Sequence, residues 1–237
     1  MSRLQAASKT SRFLAAPLMC LALGLASAAL AQGSADFEAL GRSWAHVNYE
    51  IKDPREEAAA ARDLAAQADA AAKANPGRAE PLAWEALALL SEADARHNFG
   101  SLQLVGKARG LLDRAAAIDP NAIGRGSIYA NLGSLYAELP GFPVSFGDAR
   151  KAKVYLDKAL AANPAGLDAN YFYGDYLYRQ GDASQAIQAL EKALQAPARP
   201  GRPLADRGRK WEAEQLLDKI RRKEKLSDAS DPRRKPV

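Results

Sequence analysis

Three aspartates recur at intervals of seven residues: Asp168, Asp175 and Asp182. Neighbouring carboxylates are the tools of acid–base catalysis, one held neutral and the other charged. Here the types fit solvated or turn positions better, and Asp182 beside Gly181 fits a turn. The two histidines, His46 and His97, lie far apart with no cysteine ligand near them, so the spacing of a transition-metal site is missing. Neither a glycine-rich phosphate loop nor a G-x-S-x-G elbow occurs. The chemistry expected is therefore binding without catalysis, cofactor or metal.

Binding residues need elements that hold them in a row. The stretch from Gly166 to Pro197, GLDANYFYGDYLYRQGDASQAIQALEKALQAP, supplies the pattern. Small Gly174 and Ala186 suit a close crossing of two antiparallel helices. Larger Tyr173, Leu177 and Leu190 fill the space around it. Gly181 suits the positive φ that ends a helix, and Pro197 stops the second one. Upstream, Tyr129, Leu132, Gly133 and Tyr136 pair with Ala152, Leu156, Ala159 and Pro164. Trp84, Leu87 and Ala88 pair with Ala108, Leu112, Ala115 and Pro120. Phe37, Leu40, Gly41 and Trp44 pair with Leu64, Ala68, Ala71 and Pro76. Pro76, Pro120 and Pro164 stand 44 residues apart.

These markers resemble the tetratricopeptide (TPR) repeat, a helix pair of about 34 residues. The resemblance covers 79–197 best. It implies an all-α, TPR-like right-handed α-solenoid of about four helical hairpins, with a C-terminal capping helix. Helices are expected at 34–51, from Asp53-Pro54 to about Ala74, and at 79–95, 102–118 and 123–138. A Pro/Gly linker at 198–203 leads to a capping helix ending near Lys225. Trp211, Leu216, Leu217 and Ile220 form its expected apolar face, and 227–237 are expected to be disordered.

Successive first helices line the concave face of such a superhelix. In the last unit the positions that face inward in TPR proteins are Asp168, Tyr171, Asp175, Tyr178 and Arg179; in the unit before it they include Ser134 and Glu138. The segment ELPGFPVSFGDARKA, 138–152, carries seven residues more than the equivalent part of the last unit. Its Phe142 and Phe146 are further candidates, either plugging the helix pair or lining a ligand surface.

The N-terminus reads as a secretory signal peptide over residues 1–31. Arg3, Lys9 and Arg12 precede an apolar run from Phe13 to Ala28, and Ala29-Leu30-Ala31 offers a cleavage site before Gln32. Pro17-Leu18-Met19 is a poor lipobox for Cys20, the single cysteine. A periplasmic location without a transmembrane span after cleavage is expected. Residues 32–197 carry 17 Lys/Arg against 21 Asp/Glu, net −4, while 198–237 carry 13 against 7, net +6. Such asymmetry marks partner or membrane surfaces, and an exported chain without a basic, aromatic-laced stripe is no nucleic-acid binder. The exported setting and the PGFPVSFGDARKA loop also resemble the T component (TatT-like) of periplasmic TRAP-transporter-associated systems. That resemblance implies a small apolar ligand as the alternative to a protein partner in the cell envelope.

Overall fold

A computed structural model describes residues 37–96, 98 and 100–230, with side chains to 226. Residues 1–36, which include the expected signal segment, as well as His97, Phe99 and 231–237, lie outside the described residues. The chain divides into residues 1–37 and 38–237, and all that follows concerns the second unit. Among the described residues there are helices and turns but no strand. The helices are α1 (37–49), α2 (Pro54–Ala74), α3 (Glu80–Arg96), α4 (Ser101–Ile118), α5 (Ser127–Glu138), α6 (Ala149–Ala162), α7 (Leu167–Arg179), α8 (Ala183–Leu194) and α9 (Pro203–Ser230).

Local sequence explains the boundaries. Asp53, Asp148 and Asp182 cap α2, α6 and α8, each side chain accepting from backbone N–H groups of the first turn. Pro54 occupies the first helical position of α2, where its missing N–H costs nothing. Asn75, Asp119 and Asn163 end α2, α4 and α6 just before the three spaced prolines. Gly181, at φ 88°, makes the turn between α7 and α8. α5 starts at Ser127 rather than near 123, because Asn121 to Gly126 form consecutive turns through Gly124 and Gly126 at positive φ.

Alanine and glycine let the helices of each hairpin approach. Ala61, Ala68, Ala108, Ala115, Ala152, Ala159, Ala186 and Ala193 are all fully buried. A Cβ on Gly174 would sit 2.9 Å from Leu190 Cγ and 3.3 Å from the Ala186 carbonyl oxygen, so α7 and α8 meet there as expected. α3/α4, α5/α6 and α7/α8 are packed hairpins, α2 packs on α3, and α5 packs directly on α7. α3 and α5 lack that direct packing.

The C-terminal helix differs from the expectation in two ways. It runs to Ser230, so 227–230 are helical. Its buried stripe is Ala205, Ala213, Leu217 and Ile220, with Leu216 beside it, and Trp211 is 60% exposed. Trp211 lies two residues before Ala213, on the outward side of a stripe with helical spacing. The second half of α9 covers α7 and α8 as a cap. The first half goes further: a Cβ on Gly208 would run into the Tyr49 ring of α1. The absence of a side chain on Gly208 permits that approach, while Trp211 faces away from the array.

Candidate functional site

The space between α3 and α5 is a groove of about 450 Å³. α1 contributes Trp44 and Asn48 to its wall, and α3 contributes Leu87, Leu90, Ser91 and Asp94. α4 adds Leu102 and Val105, α5 adds Ser134, Leu135 and Glu138, and α7 adds Tyr171 and Phe172. Arg209 and Glu212 of α9 close one side. All four first helices thus share one face, on which apolar side chains alternate with polar ones and carboxylates.

Segment 199–212 is buttressed by an ionic network. Asp168 accepts from Arg199 Nη1 at 2.5 Å and from Arg209 Nε at 3.2 Å. Arg199 also binds Asp206, with Nε at 2.6 Å and its backbone N at 2.7 Å from the carboxylate. Arg209 is paired with Glu212 and lies over the rings of Tyr171 and Phe172, 4.8 and 4.6 Å from their centroids. Arg202 lies 5.0 Å from the Trp84 ring centroid. The Asp168 and Arg209 side chains are only 14% and 11% exposed. Burial alone would raise the Asp168 pKa, but Arg199 and Arg209 hold it below the ordinary aspartate value. Burial likewise opposes the charge on Arg209, yet the surrounding Tyr49, Glu212 and Asp168 raise its pKa.

Glu138 behaves differently. Its residue is open to solvent at the groove, where Ser134 Oγ donates to it at 3.0 Å. The protein mass around it and the charge of Asp175 raise its pKa, against smaller opposing effects from Arg179, Ser134 and Arg209. Tyr171, desolvated and facing Glu212, is also raised.

The sequence candidates separate accordingly. Ser134, Tyr171 and Glu138 come together in the groove. Asp168 does not line the groove and is engaged by α9 and the preceding linker. Asp175 is paired with Arg179 at 2.6 Å, within reach of the Glu138 charge. Tyr178 faces α9, with Lys219 and Lys223 about 5.7 and 5.6 Å from its ring. Phe142 is 93% exposed. Phe146 packs edge-on against Tyr136 at 5.5 Å, beneath the Arg109 guanidinium at 4.4 Å. Phe142, Phe146 and Tyr171 therefore border no common pocket. Of the evenly spaced aspartates, one serves the network, one an ion pair and one a helix cap. Sequence reasoning missed the α1, α3, α4 and α9 walls. Trp44, Leu87 and Leu90 sit on earlier first helices and were legible as repeat markers or their neighbours; Arg209 and Glu212 gave no signal beyond the charged C-terminal segment.

Residues 144–200 match the tetratricopeptide repeat. That span holds α6, α7 and α8. No curated protein matches the sequence. Among solved structures the chain is similar to a thermophilic TPR protein of Thermus thermophilus, with 17% identity over 82% of this chain and 97% of that one, at a TM-score of 0.50. It is also similar to MamA, 21% identical over 76% of this chain and 98% of that one, at a TM-score of 0.39. The first likeness speaks for the fold, an all-α TPR-type solenoid. The groove takes most of its lining from the first helices of that array.

Proposed function

We propose that this is a non-enzymatic, exported scaffold protein that holds a segment of another envelope protein in the groove between α3 and α5. The observation that carries the reading is the groove itself: about 450 Å³, lined by α1, α3, α5 and α7, and left open beside the C-terminal helix. Leu90, Leu102, Val105 and Leu135 offer apolar burial, and Ser134, Glu138 and Tyr171 offer polar recognition. The periplasmic location is part of the proposal and rests on the n-region, apolar run and Ala29-Leu30-Ala31 of the N-terminus. A closed apolar pocket bordered by Phe142, Phe146 and Tyr171 would favour the small-ligand alternative drawn from the likeness to the T component, and the three lie in different environments.

Site-specific photo-crosslinking in cells tests this. A benzophenone amino acid at Ser134 should trap one discrete protein, whereas the same group at Lys153 on α6 should not. Equal labelling from both positions, or none from Ser134, would refute the groove as the docking face. Mass spectrometry of the mature chain should find Gln32 at its N-terminus; residues 1–31 retained on the isolated protein would refute cleavage there.

A further inference from the structure

The loop between α5 and α6 presents apolar side chains to water by construction. Phe142 is 93% exposed and Val144 64% exposed, with exposed Pro143 between them. The loop is braced. The Val144 and Ser145 backbone N–H groups donate to the Gly141 carbonyl, that of Gly147 donates to Pro140 at 2.9 Å, and that of Asp148 to Tyr136 at 2.9 Å. Phe146 anchors it against Tyr136 and Arg109. A braced loop that leaves a phenylalanine almost without neighbours forgoes burial that folding ordinarily recovers. Directly after it, α6 opens with exposed Arg150 and Lys151, and Val154, one turn on along the same face, is 53% exposed. Residues 139–154 carry three cations, of which Lys153 is paired with Asp157 at 2.8 Å, and one acid, Asp148, which is engaged as the α6 cap. This local excess is positive, whereas 32–197 as a whole are net −4.

We propose that loop 139–148 and the first turns of α6 dock on an anionic lipid surface, with Phe142 and Val144 entering the acyl boundary and Arg150 and Lys151 meeting headgroup phosphates. An apolar tip backed by cations matches the order of a bilayer interface. A protein partner would have to supply the entire pocket for Phe142, whereas acyl chains need none preformed. Leu139 at the start of the loop lines the groove, but Phe142, Val144, Arg150 and Lys151 do not, so the protein would hold its partner while resting on a membrane.

The test uses the full chain and sucrose-loaded vesicles of phosphatidylcholine with or without phosphatidylglycerol. Sedimentation should rise about tenfold with phosphatidylglycerol and fall with salt. Phe142→Ser and Val144→Ser should each reduce it severalfold, and Arg150→Gln with Lys151→Gln should remove the phosphatidylglycerol dependence. Because the N-terminal segment is itself apolar, an environment-sensitive dye at the loop provides a local readout. Cys20→Ala with Val144→Cys, labelled at the new thiol, should blue-shift on phosphatidylglycerol vesicles. Sedimentation without that spectral change would mean that another part of the chain binds lipid, and the proposal would fail. It would fail equally if Phe142→Ser left vesicle binding unchanged, or if no vesicle bound at all.

Discussion

Asp168→Asn tests what holds the C-terminal helix in place. The wild-type carboxylate accepts from Arg199 and Arg209, whose side chains are 24% and 11% exposed. The amide keeps the shape and removes the charge. Breaking a buried pair costs roughly 3–5 kcal/mol when the remaining charge is left uncompensated. Compensation here is partial, because Arg199 keeps Asp206 and Arg209 keeps Glu212. The expected loss is therefore smaller, about 2–3 kcal/mol at pH 7. For a chain of this size that lowers Tm by roughly 4–12 °C. The pH dependence has a definite sign. Asp168 has a depressed pKa in the folded state, so its contribution is present above the unfolded-state value of about 3.9 and is lost as pH falls through the lower folded value. The wild type and the Asp168→Asn variant should differ most near neutral pH and converge in strong acid. Circular dichroism melts across pH give both quantities, and hydrogen exchange should show faster opening at the start of α9. A double-mutant cycle with Arg199→Met should yield a coupling of about 1 kcal/mol or more. Additive effects, or a Tm within about a degree of wild type at pH 7, would show that the network contributes nothing and that apolar packing alone seats the helix.

Three further expectations follow from the packing and the groove. Gly174→Leu should cost about 1–3 kcal/mol or more in chemical denaturation, because even its first carbon meets Leu190 at 2.9 Å; unchanged stability would mean that α7 and α8 do not cross there. Trp211→Ala should change stability by about 0.5 kcal/mol or less, since the residue is 60% exposed, whereas Ile220→Ala, fully buried, should cost about 2–5 kcal/mol; the reverse ranking would put the other side of α9 against the array. Glu138→Gln should stabilise the protein at neutral pH, because a carboxylate with a raised folded-state pKa penalises folding once ionised; the gain should vanish below the unfolded-state value of about 4.3, and a gain that grew in acid would contradict this sign.

Most of the hairpin architecture was legible because it rests on local rules. Asp before a helix, Asn-Pro or Asp-Pro after one, and Gly or Ala at a crossing each act within a few residues. Their recurrence locates α1 to α8 with small errors at the ends. The α9 error has a different origin. Trp211 and Ile220 are both large and apolar, and hydrophobicity alone puts them together. The helical stripe through Ala205, Ala213, Leu217 and Ile220 excludes Trp211, but alanines and a glycine advertise burial only once a close neighbour such as Tyr49 is known. The candidate site was legible only in part for a similar reason. Inward positions of α5 and α7 follow from the repeat, yet whether an inward residue stays free depends on long-range pairing. Arg199 lies 31 residues from Asp168 and Arg209 lies 41 away, and no spacing rule links them.

That pairing also changes what the charge asymmetry means. A C-terminal segment at net +6 following a body at net −4 reads, in sequence, as a surface waiting for an acidic partner. In the fold a large share of that complementarity is met within the chain. Arg199 and Arg209 meet Asp168, Arg221 meets Glu191 at 2.6 Å, and Lys219 and Lys223 lie over Tyr178. The body's acidity draws its own C-terminus onto the inner face and, by doing so, shortens the groove. What stays open is the stretch with Leu90, Leu102, Val105 and Leu135 as its apolar members and Glu138 among its polar ones. A partner able to use that space needs apolar side chains first and one cation second, because a long basic segment would have to compete with Arg199 and Arg209 for a carboxylate they already share. Selectivity in this array would then come from the length of groove that the C-terminal helix leaves uncovered.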